Sequence, residues 1–310
     1  MTTFVFPGQG SQYLGMAKDF FDNFDVAKDI FTEIEDTSKI NLKKILFGND
    51  VNLLNQTNFT QISIFCTSII IFKTIDKLFG LDKFNIKCML GHSLGEYTAL
   101  TASGSLNIAQ TSYLLKLRGE LMNTALEPNK SSMAALIGTD SETVEKIIKN
   151  NNIDVEIAND NSPIQVVVSG LKNQIDNSQD IFLSNGVKKF VVLNVSAAFH
   201  SKLMIEAQEI FKKEINKMNF NNSICPIVSN YDGLVNSEIE TIVSNLKSQM
   251  ANRVRWTESI ISLEKLGENK VIEIGPGKVL SGLIKRISNN FDIITVNNIN
   301  DIEKLNNNEF

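Results

Sequence analysis

Histidine is almost absent from this chain of 310 residues, which has only His92 and His200. Any imidazole chemistry therefore rests on one of these two side chains. Cysteine is nearly as scarce. Cys66, Cys88 and Cys225 lie far apart in apolar segments, a spacing that suits neither a disulfide framework nor a zinc site. They read as buried free thiols in a reducing compartment. Long apolar runs are missing too: the longest, Ile62 to Phe72, ends at Lys73, too short to cross a bilayer and suited to a buried helix. Excess positive charge is absent. The net charge of −5 excludes a general nucleic-acid footprint, so an anionic ligand would need a local cluster of cations. The start, Met1-Thr2-Thr3-Phe4-Val5-Phe6-Pro7, lacks a basic segment or cleavage site. No signal peptide, no membrane contact and a cytoplasmic location are the expectations.

What is present is an alternation of strands and helices. Thr3–Phe6 reads as a strand breaking at Pro7-Gly8-Gln9-Gly10, and Tyr13 to about Glu35 has the apolar spacing of one helix. Asn58 to Leu78 predicts an apolar helix, Ile86–Leu90 a buried strand, and Leu106–Leu126 an amphipathic helix. After the polar break Pro128–Ser132 the order becomes strand Met133–Ile137, helix Ser141–Lys149, strands Val155–Ala158 and Gln165–Ser169, helix Leu171–Asn185, and strand Lys189–Val195. That β-α-β-β-α-β order is a ferredoxin-like unit inserted in a larger domain. Helices around Lys202–Met218, Glu238–Met250 and Thr257–Leu266 follow, with strands near Pro226–Ser229 and at Lys270–Ile274. Gly275-Pro276-Gly277 then turns into helix Val279–Ile287. The fold class expected is α/β, with a mostly parallel sheet. Residues 1–127 and 196–310 would form the large subdomain and 128–195 the small one.

Gly91-His92-Ser93-Leu94-Gly95-Glu96-Tyr97 carries the clearest chemical signal. A serine between spaced glycines, after a buried strand and before a helix, is the nucleophile-elbow pattern, in which the turn is too tight for a Cβ on either side. Such a serine needs a base, and His200, in a loop leaving a strand, is the available one outside the motif. A structural histidine is the competing reading. No aspartate stands out to orient His200, so a backbone carbonyl would complete a dyad. His92 would point away from Ser93. The Leu94 N–H is an oxyanion donor by geometry, with Gln9 the candidate for the second, although Pro7-Gly8-Gln9-Gly10 alone also fits a plain turn. Arg118 sits among Leu114, Leu115, Leu117 and Leu121. It is either a snorkelling surface residue or a buried clamp for a carboxylate.

Phe6-Pro7-Gly8-Gln9-Gly10-Ser11-Gln12, Gly91 to Tyr97, Arg118-Gly119-Glu120-Leu121-Met122, Ala198-Phe199-His200-Ser201 and Glu273-Ile274-Gly275-Pro276-Gly277 occur in an order and spacing that resembles malonyl-CoA:acyl-carrier-protein transacylases. The likeness runs from Thr3 to about Ile287. It implies an α/β-hydrolase-like large subdomain with a ferredoxin-like insert. Ser93 would receive malonyl from coenzyme A, with His200 as base and later acid, and Gln9 with the Leu94 N–H as oxyanion hole. Arg118 would pair with the malonyl carboxylate, Asn161 would lie in a loop beside the site, and the Gln249 carbonyl would orient His200. Phe199 and Leu94 resemble the malonyl-selecting members, because a bulky Phe crowds an α-methyl group.

The resemblance also implies partners: malonyl-CoA, and an acyl carrier protein whose phosphopantetheine thiol accepts the group. The enzyme would be a monomer needing no metal or cofactor. Ala197-Ala198 and Arg253 depart from common fatty-acid members, and Val195 to Ser201 looks like freestanding acyltransferases of polyketide synthases. Fatty-acid and polyketide service both stay open. Lys188, Lys189, Lys202, Lys285 and Arg286 are candidates for docking an acidic carrier. A thioester hydrolase and a non-catalytic docking paralogue are the rival readings; the first has no use for Arg118, and the second requires a missing catalytic residue.

Overall fold

The computed structural model describes residues 2–195, 197–267 and 269–306. Met1, at the head of the segment read for a signal peptide, and Ser196, in the connection expected before His200 and at the expected subdomain limit, lie outside the described residues. Among the described residues ten strands form two sheets: β1 (Thr2–Phe6), β2 (Ile86–Gly91), β3 (Ser131–Ile137), β4 (Glu156–Ser162), β5 (Gln165–Leu171), β6 (Lys189–Val192), β7 (Ile227–Val228), β8 (Val235–Asn236), β9 (Lys270–Ile274) and β10 (Asp292–Val296). The larger sheet has the order β10-β9-β1-β2-β7-β8 and is parallel except for β7 with β8. Its central strands carry side chains that are apolar on both faces, as a sheet covered on both sides requires. Phe4 and Phe6 enter one core, with Phe65, Phe72 and Tyr97, while Val5, Leu90 and Val271 enter another, with Trp256 and Ile260.

The smaller sheet is antiparallel, with the order β4-β5-β3-β6, and packs over helices Ser141–Asn150 and Lys172–Ser184 around a separate apolar cluster. The expected β-α-β-β-α-β unit is therefore present. The free edge of β4 is tied to the larger layer: Val254 N–H donates to Ala158 O at 2.8 Å, and Asp160 N–H donates to Val254 O at 2.9 Å. An Arg253–Glu145 ion pair of 2.7 Å and a 2.7 Å hydrogen bond from Thr257 Oγ1 to Asp160 Oδ1 reinforce that seam.

Several elements differ from the sequence reading. The single helix over Tyr13–Glu35 is two, Lys18–Asn23 and Asp25–Ser38, because Phe24 is extended (φ −127°, ψ 126°) and tilts its ring onto Phe20. Strand β4 runs on to Ser162 through buried polar residues, so Asn161 stands on a strand and not in a loop. Strand β6 stops at Val192, freeing 193–195 to line the site. The helix after His200 begins as a 3₁₀ turn, Lys202–Met204, before Ile205–Ile215. Among the described residues no helix is long and apolar enough to cross a membrane.

Candidate active site

The C-terminal ends of β1 and β2 lie side by side, with Phe6 paired to Gly91, so the loops leaving both strands meet at one edge of the sheet. In open α/β sheets this edge is where ligands bind. Close approach there depends on glycine: a Cβ at Gly91 would fall 2.0 Å from the Gly95 carbonyl group, and one at Gly95 would fall 2.2 Å from Phe6 O. The chain therefore reverses within the space of a backbone. Ser93 sits at the tip with φ 52° and ψ −108°, a conformation sparsely populated by residues with a side chain, at the N-cap of helix Leu94–Ala102.

The Asn230 side chain braces this turn. Its Oδ1 accepts from Ser93 N–H at 2.6 Å and its Nδ2 donates to Gly91 O at 2.7 Å, which ties together the two ends of the strained link.

His200 also holds a left-handed backbone conformation, φ 56°, and is buried. Its Nε2 lies 2.8 Å from Ser93 Oγ, and its Nδ1 lies 3.1 Å from both Gln249 O and Asn252 O. Carbonyl oxygens only accept, so Nδ1 carries the proton and Nε2 presents its lone pair to the serine. Burial, and next the neighbouring Arg118 cation, push the imidazole pKa down to about 3, which keeps the ring neutral and able to take a proton at physiological pH. The Gln249 carbonyl thus contacts Nδ1, and the Asn252 carbonyl is a second contact that no local sequence signal marks. Both stand on the segment stitched to β4.

Arg118 is buried, only 1% exposed, which excludes the snorkelling alternative. One terminal nitrogen donates to Gln61 Oε1 at 2.7 Å; the other donates to Gln249 Oε1 at 2.9 Å and Ser93 Oγ at 3.1 Å. Its Nε finds no hydrogen-bond partner, and among the described residues no carboxylate touches the guanidinium. A buried cation held by neutral groups beside the Ser93 hydroxyl is set up to receive an anionic substituent.

Ser93, His200 and Arg118 open onto a cavity of about 370 Å³ between the two sheets. Gln9, Leu94, Phe199 and Asn161 line it. The structure thus gathers Ser93, His200, Arg118, Gln9, Leu94, Phe199 and Asn161 around one space, with Gln249 behind it in contact with Arg118 and His200. Asn161 Oδ1 is 2.8 Å from Nε2 of His92, whose ring packs against Trp256 at 5.5 Å. Of the basic residues put forward for docking, Lys202 is paired with Asp154 at 2.6 Å and Glu156 at 3.7 Å, so its charge is already answered. Arg286 donates to Gln165 Oε1 at 2.7 Å on the cavity wall. Sequence reasoning missed Asn230, Gln61, Asn252 and the buried carboxylate of Glu96.

Residues 3–302 match the family model described as "Acyl transferase domain". The chain is 36% identical over 304 residues to a malonyl CoA-acyl carrier protein transacylase of Bacillus subtilis, covering 97% of this chain and 94% of that protein. Among solved structures, the acyl-carrier-protein S-malonyltransferase of Bartonella henselae superposes with a TM-score of 0.94 at 36% identity, covering 98% of this chain and 97% of that one. A malonyl-transacylase solved in complex with its type II polyketide synthase acyl-carrier protein superposes with a TM-score of 0.94 at 34% identity, covering 99% of each chain.

Proposed function

This chain belongs to the acyl transferase family, within its malonyl-CoA:acyl carrier protein transacylases, and we propose that it moves malonyl from coenzyme A to a carrier-protein phosphopantetheine thiol through an ester on Ser93. As Ser93 Oγ bonds to the thioester carbonyl carbon, its proton passes to His200 Nε2. The resulting oxyanion is held by the N–H groups of Leu94 and Gln9. The carbon–sulfur bond then breaks, and coenzyme A leaves with the proton from His200. The second half runs in reverse. His200 takes the proton of the carrier thiol, sulfur bonds to the ester carbonyl carbon, the carbon–oxygen bond breaks, and Ser93 Oγ recovers a proton. No metal or cofactor takes part in these steps.

The observation that carries this reading is the buried Arg118 guanidinium, 3.1 Å from Ser93 Oγ. An acyl group on Ser93 that bears a carboxylate would place that carboxylate within reach of the cation. Pairing there holds malonyl for the incoming thiol and away from hydrolytic geometries. Phe199, on the cavity wall, would crowd an α-methyl branch. Asn161, also on the wall, would contact the substrate. In this reading the subdomains divide as 1–127 with 196–310, and 128–195. In this reading the enzyme is a cytoplasmic monomer, and its three buried free thiols suit a reducing compartment. The carrier serves fatty-acid or polyketide synthesis.

Intact-mass measurement after addition of malonyl-CoA tests the proposal. The protein should gain one malonyl group and lose it on addition of a phosphopantetheinylated carrier protein. An unchanged mass, or loss of the label to water at the same rate without carrier, would overturn it. A companion experiment addresses Arg118. Arg118→Ala should lower kcat/KM for malonyl-CoA by about 10²–10³-fold, the scale of a lost bidentate charged contact, while acetyl transfer changes by less than about tenfold. Equal losses for the two donors would remove the assigned role.

A further inference from the structure

Glu96 is a fully buried carboxylate that the proposed chemistry does not use. It lies on the helix behind the nucleophile. Its Oε2 accepts from Gln249 Nε2 at 2.7 Å and from Asn230 N–H at 3.1 Å, while Oε1 has no hydrogen-bond partner among the described residues. The same Gln249 side chain turns its Oε1 to Arg118 at 2.9 Å, and its Nε2 also donates to Ser93 O at 3.0 Å. One amide thus joins a buried anion to a buried cation, and no other group stands in the link. Its orientation is set at both ends: the carboxylate can only accept from Nε2, and the guanidinium can only donate to Oε1.

We propose that Glu96 is a positioning residue for acid recognition: through the Gln249 amide it holds and offsets the Arg118 charge in the empty site, and so competes with the carboxylate of the incoming acyl group. This rests on Arg118 receiving the malonyl carboxylate. The benefit is an exchangeable counter-charge. A guanidinium with no anion nearby would bind malonyl tightly and release it slowly. One with a carboxylate in direct contact would have to break that ion pair first. A counter-charge one amide away lies between these limits.

The surroundings of Glu96 make the competition depend on pH. Burial raises its pKa to about 7; the hydrogen bonds from Gln249 and Asn230 and the charge of Arg118 pull it down, and Asp232 pushes it up. Tyr97, next to Glu96 on helix Leu94–Ala102, lies beside Arg118, and its hydroxyl pKa is pushed further up by burial, so it stays neutral. His200 is neutral through this range, and His92 is likewise pushed toward its neutral form by burial. Below neutrality Glu96 takes up a proton and its competition ends; above neutrality it is an anion and competes. The KM for malonyl-CoA should therefore rise as pH increases through about 7, by about three- to tenfold. The KM for acetyl-CoA, which carries no acid group on its acyl chain, should stay level.

Glu96→Gln keeps an oxygen acceptor for Gln249 and removes the charge. It should lower the malonyl-CoA KM at pH 8 by about three- to tenfold, flatten its pH dependence, and leave the acetyl-CoA KM within about twofold. Glu96→Asp keeps the charge and should retain the pH dependence; it serves as the second variant should the glutamine protein fold poorly. A malonyl-CoA KM in Glu96→Gln that still rises with pH would overturn the inference, as would equal effects on both donors or an aspartate variant that loses the pH dependence. These failures differ from failure of the reading beneath them, in which the wild-type protein takes up no malonyl at all.

Discussion

Ser93→Ala is expected to gain no mass from malonyl-CoA and to malonylate a carrier protein about 10⁴–10⁶-fold more slowly than the wild type. The size of the effect follows from how completely the route depends on one oxygen. Ser93 Oγ is the atom to which His200 Nε2 and the Arg118 guanidinium both turn, at 2.8 and 3.1 Å. No cysteine stands beside it to take over, because Cys66, Cys88 and Cys225 are all buried elsewhere, and burial drives the Cys225 thiol pKa up to about 12. The fold should survive the change. Ser93 N–H would still donate to Asn230, and alanine adopts φ 52° about as readily as serine does. The lost contacts of His200 and Arg118 face the cavity, where water can replace them, so the stability cost should stay near 1–2 kcal/mol. Thermal unfolding monitored beside the mass measurement separates the two effects. A variant that melts near the wild type yet still carries malonyl would place the nucleophile elsewhere.

The parts of the site that could be read in the sequence are those written in consecutive residues. Ser93 is announced by glycines two positions away on each side, and His200 by the near absence of other histidines. Arg118 was visible as an oddity among leucines, but only burial decides between a snorkelling residue and a clamp. Asn230 left no such trace. It follows a two-residue strand, β7, too short to show a period, and reaches the elbow across 137 positions of sequence. The same holds for Gln61, which meets Arg118 across 57 positions, and for the Asn252 carbonyl. Strand β4 reads short in the sequence because Asn159, Asp160, Asn161 and Ser162 lack the β-branched and aromatic character that signals a strand. They are strand because both edges are paired, with β5 on one side and Val254 on the other. Long-range pairing overrode local propensity where the small sheet meets the site. Glu96 stands in plain view within its motif, yet nothing local distinguishes a surface carboxylate on a helix's first turn from one buried behind Ser93.

Gly91→Ala should destabilise the protein by about 3 kcal/mol or more and abolish transfer, although Gly91 is not among the residues that line the cavity. That methyl carbon would lie 2.0 Å from both the carbonyl carbon and the oxygen of Gly95 and 2.6 Å from Glu96 N. All three are backbone atoms, so no side chain can swing aside. Either β2 or the first turn of helix Leu94–Ala102 must shift. A shift of β2 breaks its register with β1, whose Phe6 pairs with Gly91. A shift of the helix moves Ser93 relative to His200, and displacement by about 1 Å costs on the order of 10²-fold in rate before any unfolding is counted. Gly282→Ala provides the contrast. Gly282 lies in helix Val279–Ile287, and a Cβ there would meet nothing within 4 Å. It should stabilise the protein by about 0.5–1 kcal/mol through helix propensity alone and leave transfer unchanged. Denaturant unfolding of the two variants with carrier-protein malonylation measured in parallel is the check. A Gly91→Ala protein that unfolds at the wild-type midpoint and transfers malonyl at the wild-type rate would mean that the turn has room for a side chain, and that the close approach of strand and helix does not hold the nucleophile in place.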